Sequence, residues 1–190
     1  MGNREDLLEG ARQAVLERGL AKVTARDIAK AAGVSLAAIG YHFGSKDQLV
    51  TEAITMGYGT RIGDDMGAAI RDGAQGGSLW DSLAATWNGF VEVVQRNRDG
   101  LLLSTENGIQ IARDPEQQAF MTQASAVAHS EIAADIQRAH PQLSDEQAAA
   151  VGQLLFLLFQ GLAVQKLIAP DAALLDGNSL QVAVAAMREK

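Results

Sequence analysis

Apolar residues recur along this chain at the spacing of helix faces, and no segment alternates between apolar and polar positions as a half-buried strand does. Helix starts are marked by a Ser or Thr three residues ahead of an acid or amide, at Thr24, Ser45, Ser78 and Ser144. Glycines and prolines mark the stops. The pattern predicts an all-α fold, with helices over 4–19, 25–32, 35–42, 46–72, 78–96, 98–112, 115–139, 144–168 and 178–189.

The segment 24–43 has the pattern of two short helices joined by a tight turn. Ile28 lies on the inner face of the first helix and Ile39 on that of the second. Between them, Gly33 is expected to take a positive φ, and Ser35 is expected to cap the second helix. Two short helices across a glycine-containing turn form a helix-turn-helix, whose second helix fits the major groove of DNA.

Charge is distributed unevenly along the chain, which carries a net charge of −7. Residues 1–50 hold seven Lys or Arg against six Asp or Glu, whereas 51–190 hold nine against seventeen. A phosphate-binding surface would therefore have to lie in the first fifty residues. This asymmetry suggests two units, a helix-turn-helix domain over 1–47 that would hold the DNA-binding surface and an acidic remainder over 48–190. The absence of cysteine excludes disulfides and thiolate metal sites.

The N-terminal segment resembles the TetR (tetracycline-repressor-like) family of transcriptional regulators over about residues 8–56. The resemblance rests on the turn, on the aromatic end of the second helix and on the start of the next helix, with the residues Thr24, Ile28, Ala29, Ala32, Gly33, Val34, Ser35, Ile39, His42, Phe43, Ser45, Lys46 and Leu49. It implies a three-helix helix-turn-helix domain followed by an antiparallel helical bundle that binds a ligand and dimerises. The implied function is that of a dimeric regulator, most simply a repressor released from a palindromic operator by a small apolar or aromatic effector.

Ten residues are predicted to contact double-stranded DNA. Those expected at phosphates are Thr24, Arg26, Tyr41, His42 and Lys46. Those expected to face bases are Ser35, Leu36, Ala37, Ala38 and Gly40. The base-facing set departs from the family, whose members commonly carry polar or aromatic groups here. It can contact thymine methyls but donates few hydrogen bonds, and Gly40 is interpreted as permitting close approach of the backbone to DNA.

A homodimer interface is predicted through 144–168 and 178–189. The first of these helices is apolar on nearly every side, so one face must pack on its own domain and another on a partner subunit. The last helix would contribute a second apolar face, formed by Leu180, Val184 and Met187. A membrane-spanning interpretation is disfavoured because glutamines are spaced along 144–168 and no basic flank follows. A cytoplasmic protein is predicted.

An effector pocket is predicted from the bulky apolar residues of the middle helices and a few polar groups among them. The predicted lining is Met66, Trp80, Trp87, Phe90, Glu106, Phe120, Met121, His129, Phe156 and Gln160. An ordinary packed core would use the same aromatic residues.

The sequence predicts no metal, no cofactor and no enzyme, because no catalytic or phosphate-binding motif occurs. Two rival functions stay open. One is a ligand-binding helical bundle that has lost specific DNA binding, and the other is a helical enzyme that uses Glu106 or His129. The glycines within 46–72 indicate either a hinge or close helix packing.

Overall fold

The structure is a computed structural model that describes residues 3–74 and 77–187. Within these residues every regular element is helical, so the predicted all-α fold is confirmed. The helices are α1 (Asn3–Arg18), α2 (Ala25–Ala32), α3 (Ala37–Phe43), α4 (Lys46–Ile54), a π-helical turn (Thr55–Gly59), α5 (Thr60–Ala74), α6 (Leu79–Arg96), α7 (Arg98–Ile111), α8 (Pro115–Ala139), α9 (Asp145–Ile168) and α10 (Gly177–Ala186).

All four predicted Ser or Thr helix starts are present as N-caps. The side-chain oxygens of Thr24, Ser45, Ser78 and Ser144 each accept a hydrogen bond from the backbone N–H three residues on. Ser35 is different, because the N-cap of α3 is Leu36 and no side chain caps that helix. The predicted cap at Ser35 is therefore wrong, and α3 begins two residues later than expected.

The predicted helix 46–72 is not continuous. It is interrupted by the π-helical turn, in which the Thr60 N–H bonds to the Thr55 carbonyl oxygen. Glycines at 57 and 59 lower the cost of departing from α-helical geometry here, because glycine has no Cβ that restricts the backbone and favours the α-helix only weakly. A hinge at this point stays a prediction.

The chain divides into two compact units. The first comprises the residues up to Thr60 together with Leu102–Thr122, and the second comprises Arg61–Leu101 and the residues from Gln123 onward. The first unit thus unites α1–α4 with most of α7 and the start of α8. The predicted functional boundary at residue 47 stays a prediction.

The first unit has one apolar cluster, drawn from α1 to α4, in which Leu7, Ile28 and Leu49 are completely buried. Beside it lies a buried polar group, where the Thr51 hydroxyl of α4 meets the side-chain amide oxygens of Asn107 and Gln117. These contacts attach α4 to α7 and α8 within the unit.

The second unit packs α6 against α9 and α10. The Phe90 ring, fully buried on α6, meets Phe159 of α9 edge to face at a centroid distance of 5.6 Å. The start of α10 approaches the α6 backbone closely, and the Gly177 N–H donates to Asn88 Oδ1 at 2.9 Å. A glycine is required here because a Cβ at position 177 would overlap the backbone of Ala84.

Candidate nucleic-acid interface

The turn between α2 and α3 has the geometry of a glycine C-cap. Gly33 has φ 67°, as predicted, and its N–H donates to the Lys30 carbonyl oxygen at 3.2 Å. The next N–H, of Val34, donates to the Ala29 carbonyl oxygen at 3.1 Å. These bonds satisfy the last carbonyls of α2 and turn the chain sharply into α3.

The inward face of α3 consists of Ala38, Ile39 and Phe43, which belong to the apolar cluster of the first unit. Ala38 is only 9% exposed, so its predicted contact with bases is corrected: the side chain packs inside the domain. The residues predicted at bases that do face outward are Ser35, Leu36, Ala37 and Gly40. The outward face of α3 is defined here as these four residues together with Tyr41.

The end of α3 is held in place by contacts with α1 and α4. The Arg4 guanidinium lies 5.1 Å from the centre of the Phe43 ring and pairs with the Glu52 carboxylate. Gly44 then reverses the chain with φ 74°, and Ser45 caps α4 by accepting from the Gln48 N–H at 3.0 Å. Arg4 and Glu52 are positioning residues that the sequence analysis did not single out, because their partners are distant in sequence.

At the start of α2, Thr24 and Asp27 form a capping box. Thr24 Oγ1 donates to Asp27 Oδ2 at 2.7 Å and accepts from the Asp27 N–H at 3.2 Å. The hydrogen bonds from the Thr24 side chain and then from its backbone lower the pKa of Asp27 below its usual value. The Thr24 hydroxyl is committed to Asp27, so a phosphate here would meet the backbone N–H groups of the first turn of α2 instead.

The predicted phosphate-binding side chains differ in availability. Arg26 is exposed and makes no ion pair within the described residues, whereas Lys46 Nζ lies 2.8 Å from Asp47 Oδ1. Tyr41 is 85% exposed, and its ring lies edge to face against that of His42 at 4.8 Å. A tyrosine this exposed contributes little to the fold of the chain.

A cation that the sequence analysis missed lies one turn along α2 from Arg26. Lys30 is exposed and, like Arg26, makes no ion pair among the described residues, although its charge adds to the hydrogen bonds of Thr24 in lowering the pKa of Asp27, three residues earlier. Four residues apart on a helix, the two side chains share one exposed face. The spacing of the two basic residues was visible in the sequence and could have identified Lys30.

The model of a family described as bacterial regulatory proteins, tetR family, matches residues 7–53, a stretch from α1 into α4. Residues 7–53 are therefore a TetR-family helix-turn-helix domain. The transcriptional repressor KstR2 of Rhodococcus jostii is 43% identical to the chain over 53 residues. That match covers 28% of this chain and 26% of the repressor's own length. The resemblance drawn from the sequence is therefore confirmed.

Solved structures share the fold along the whole chain. The multidrug binding protein EbrR, in complex with imidazole, superposes with a TM-score of 0.68 at 18% identity and covers 100% of this chain and 97% of its own. A candidate transcriptional regulator from Rhodococcus sp. RHA1 gives a TM-score of 0.66 at 21% identity and covers 98% of this chain and 93% of its own. The chain thus has a TetR-family helix-turn-helix followed by a helical C-terminal domain.

The residues predicted for the effector pocket are divided between the two units, with Glu106, Phe120 and Met121 in the first. In the second unit, Met66, Trp87 and Phe90 are buried in the packed interior. His129 lies edge to face on Phe156 at 4.8 Å. Trp80 and Gln160 are exposed, so neither lines the interior of its unit. A pocket stays a prediction.

Helix α9 presents an apolar face to solvent. Leu154, Leu157, Val164 and Ile168 are all exposed, and their spacing follows the alternating steps of three and four of a helix–helix seam, with Gly161 in the middle. The predicted second face on α10 needs a correction: Leu180 is buried because α10 packs on α6, and Met187 is exposed together with Val182.

By length and composition alone, α9 could also cross a membrane, although a third of its apolar window is buried inside the protein. No other helix within the described residues is both long enough and apolar enough to do so. Buried core helices of soluble proteins meet the same criterion.

Proposed function

We propose that this protein is a homodimeric transcriptional repressor of the cytoplasm, released from a palindromic operator by a small apolar or aromatic effector. The observation that most supports this proposal is the TetR-family match over 7–53 together with the position of α3. One face of α3 packs in the apolar cluster of the first unit, and its outward face is exposed to solvent. A helix held in this way fits a major groove, and a dimer would place two such helices ~34–36 Å apart.

In the proposed complex, phosphates fix the register of the protein on DNA. Arg26 and Lys30 make no ion pair within the described residues, and the first-turn N–H groups of α2 offer hydrogen bonds beside them. Lys46 would contact a phosphate after its ion pair with Asp47 opens. Ser35, whose hydroxyl has no hydrogen bond within the described residues, and Tyr41 are the polar groups at the two ends of the outward face.

Dimerisation through α9 explains why that helix exposes leucines. A solvent-facing stripe of large apolar residues is costly in a monomer and is removed from water when a second copy pairs with it about a two-fold axis. Residues 177–187 would add Val182 and Met187 at the edge of this contact. The effector would act by binding one dimer conformation more tightly than the other. This difference in effector affinity would set how far the affinity for the operator falls.

The test of DNA binding is selection of sheared genomic DNA by the purified protein at about 150 mM salt, followed by sequencing. Recovery of one pseudo-palindrome supports the proposal. For the recovered duplex, Arg26→Ala and Lys30→Ala are each expected to weaken binding and to reduce the slope of log affinity against log salt by about 0.9 per subunit. The exposed Arg96, on α6, gives the matched control Arg96→Ala.

A failure to recover any sequence, even at about 50 mM salt, would contradict the proposal and favour the ligand-binding bundle that has lost DNA binding. A recovered sequence whose affinity and salt slope are unchanged in both variants would remove the assignment of α2 to the phosphates.

The dimer is tested by the molar mass in solution. Leu157→Glu places a charge in the α9 face and is expected to give monomers, whereas Leu16→Glu, at an equally exposed leucine of α1, is expected to leave the mass unchanged. A monomeric wild-type protein, or dimers that persist in Leu157→Glu, would contradict an interface through α9. Partition of the wild-type protein into phospholipid vesicles would favour the membrane interpretation of this helix.

A further inference from the structure

The central part of the outward face of α3 has no hydrogen-bonding side chain. Leu36, Ala37 and Gly40 occupy it, and polar groups occur only at its ends, as the hydroxyls of Ser35 and Tyr41. Recognition of most base edges requires donors or acceptors on the protein, such as Arg for guanine or Asn and Gln for adenine. Nothing in the middle of this face can make those pairings.

Leu36 is unfavourable for the protomer on two counts. It occupies the N-cap of α3, a position that prefers Ser, Thr, Asp or Asn, and it makes no cap hydrogen bond there. Its side chain is also 48% exposed to water. Neither folding nor helix capping explains a leucine at this position, whereas an apolar partner outside the protomer does.

Gly40 is likewise unexplained by the protomer. Its φ is not positive, and a Cβ built on it would meet nothing within 4 Å. Alanine would fit this position and would favour the helix more strongly. The missing side chain therefore leaves space on the outer surface of α3, where a second molecule can approach the helix backbone.

We propose that this protein recognises its operator mainly by apolar contact with thymine 5-methyl groups, which pack on Leu36 and Ala37 and against the backbone at Gly40. The thymine methyl is the one apolar group that base pairs display in the major groove. This inference rests on the DNA binding proposed above and adds the class of base that is read. It requires thymines at the centre of each half-site, opposite the middle of α3.

The test compares operators that differ only in single methyl groups. In the duplex recovered by selection, each thymine of a half-site is replaced in turn by deoxyuridine, which keeps every hydrogen-bonding group and lacks the methyl. At contacted positions each replacement is expected to weaken binding about fourfold, which corresponds to the burial of one methyl. Replacements in the flanks outside the half-sites are the matched control and are expected to have no effect.

Two variants connect the methyl effect to α3. Leu36→Ala is expected to reduce the preference for thymine over deoxyuridine at one position of each half-site. Gly40→Ala is expected to weaken operator binding about fivefold or more by crowding the groove, while the melting temperature does not fall. The control for Gly40→Ala is Gly108→Ala on α7, where a Cβ also meets nothing within 4 Å.

The outcomes separate this inference from the function on which it rests. A specific operator that binds equally well with thymine or deoxyuridine at every half-site position, or one with no thymine there, overturns the inference and leaves the repressor. The absence of any specific operator overturns both.

Discussion

Replacing Thr51 by valine should destabilise the first unit through a buried hydrogen-bond network. Thr51 is fully buried on α4, and valine has nearly the same shape without the hydroxyl. That hydroxyl meets the side-chain oxygens of Asn107 and Gln117. Because the hydroxyl has a single hydrogen, it donates to one of the two amide oxygens at a time.

The magnitude follows from which groups lose partners. Asn107 is 3% exposed, so without Thr51 its amide loses the one side-chain partner shown for it and has little access to water. Gln117 keeps its bond to Asp114, which limits its loss. A buried polar group left without a partner costs about 1–3 kcal/mol, so Thr51→Val is expected to lower the free energy of unfolding by about that amount. The melting temperature should fall by ~2–10 °C.

The assay is urea unfolding followed by far-UV circular dichroism, with Thr60→Val as the control at an exposed threonine. Since every described element is helical, this signal reports both units. A double-mutant cycle with Asn107→Leu should give a coupling of about 0.5–3 kcal/mol, because with both residues apolar no unpaired Asn107 amide is left facing the valine. An unfolding midpoint in Thr51→Val no lower than that of Thr60→Val would show that the Thr51 hydroxyl does not stabilise the first unit through these contacts.

Two further predictions concern the second unit, and both are measured by tryptophan fluorescence, since Trp80 and Trp87 both lie there. His140 is 2% exposed, and its Nε2 lies 3.1 Å from Ser82 Oγ. Its Nδ1 has no hydrogen-bond partner within the described residues, and burial lowers its pKa. As pH falls through the unfolded value of about 6.5, the unfolded chain gains a proton first, so stability should fall by up to ~1.4 kcal/mol per pH unit. His140→Gln should lose this dependence between about pH 7 and 5.5, and an equal slope in both proteins would contradict it. Gly177→Ala should destabilise the second unit by about 1–3 kcal/mol because the added Cβ would overlap Ala84. Gly63→Ala, where the added Cβ meets open space, should stabilise it slightly. Equal unfolding midpoints in these two variants would argue against a tight contact of α10 with α6.

Local chemistry made several features predictable from the sequence. The caps at Thr24, Ser45, Ser78 and Ser144 depend on residues three apart, and the positive φ of Gly33 depends on one residue and its neighbours. The family domain over 7–53 was recognisable because its turn and aromatic positions stand at fixed spacing.

Orientation within a helix was harder to predict. Ala38 and Leu180 were both expected to face outward, yet both are buried, because the face that a short helix buries is chosen by its neighbours rather than by its own weak periodicity. The π-helical turn that breaks the predicted helix 46–72 was also not predictable, because glycines permit such a turn but do not require it.

From the sequence alone one obtains the helical class, four of the helix N-caps and the family domain over 7–53, because each depends on residues close together along the chain. Which side chains are available for function depends instead on the tertiary structure. It turned Leu36 and Gly40 outward and Ala38 inward, exposed the leucines of α9, and brought Thr51 to Asn107 across 56 positions of sequence. Those outcomes depend on packing between distant segments, which local spacing does not specify.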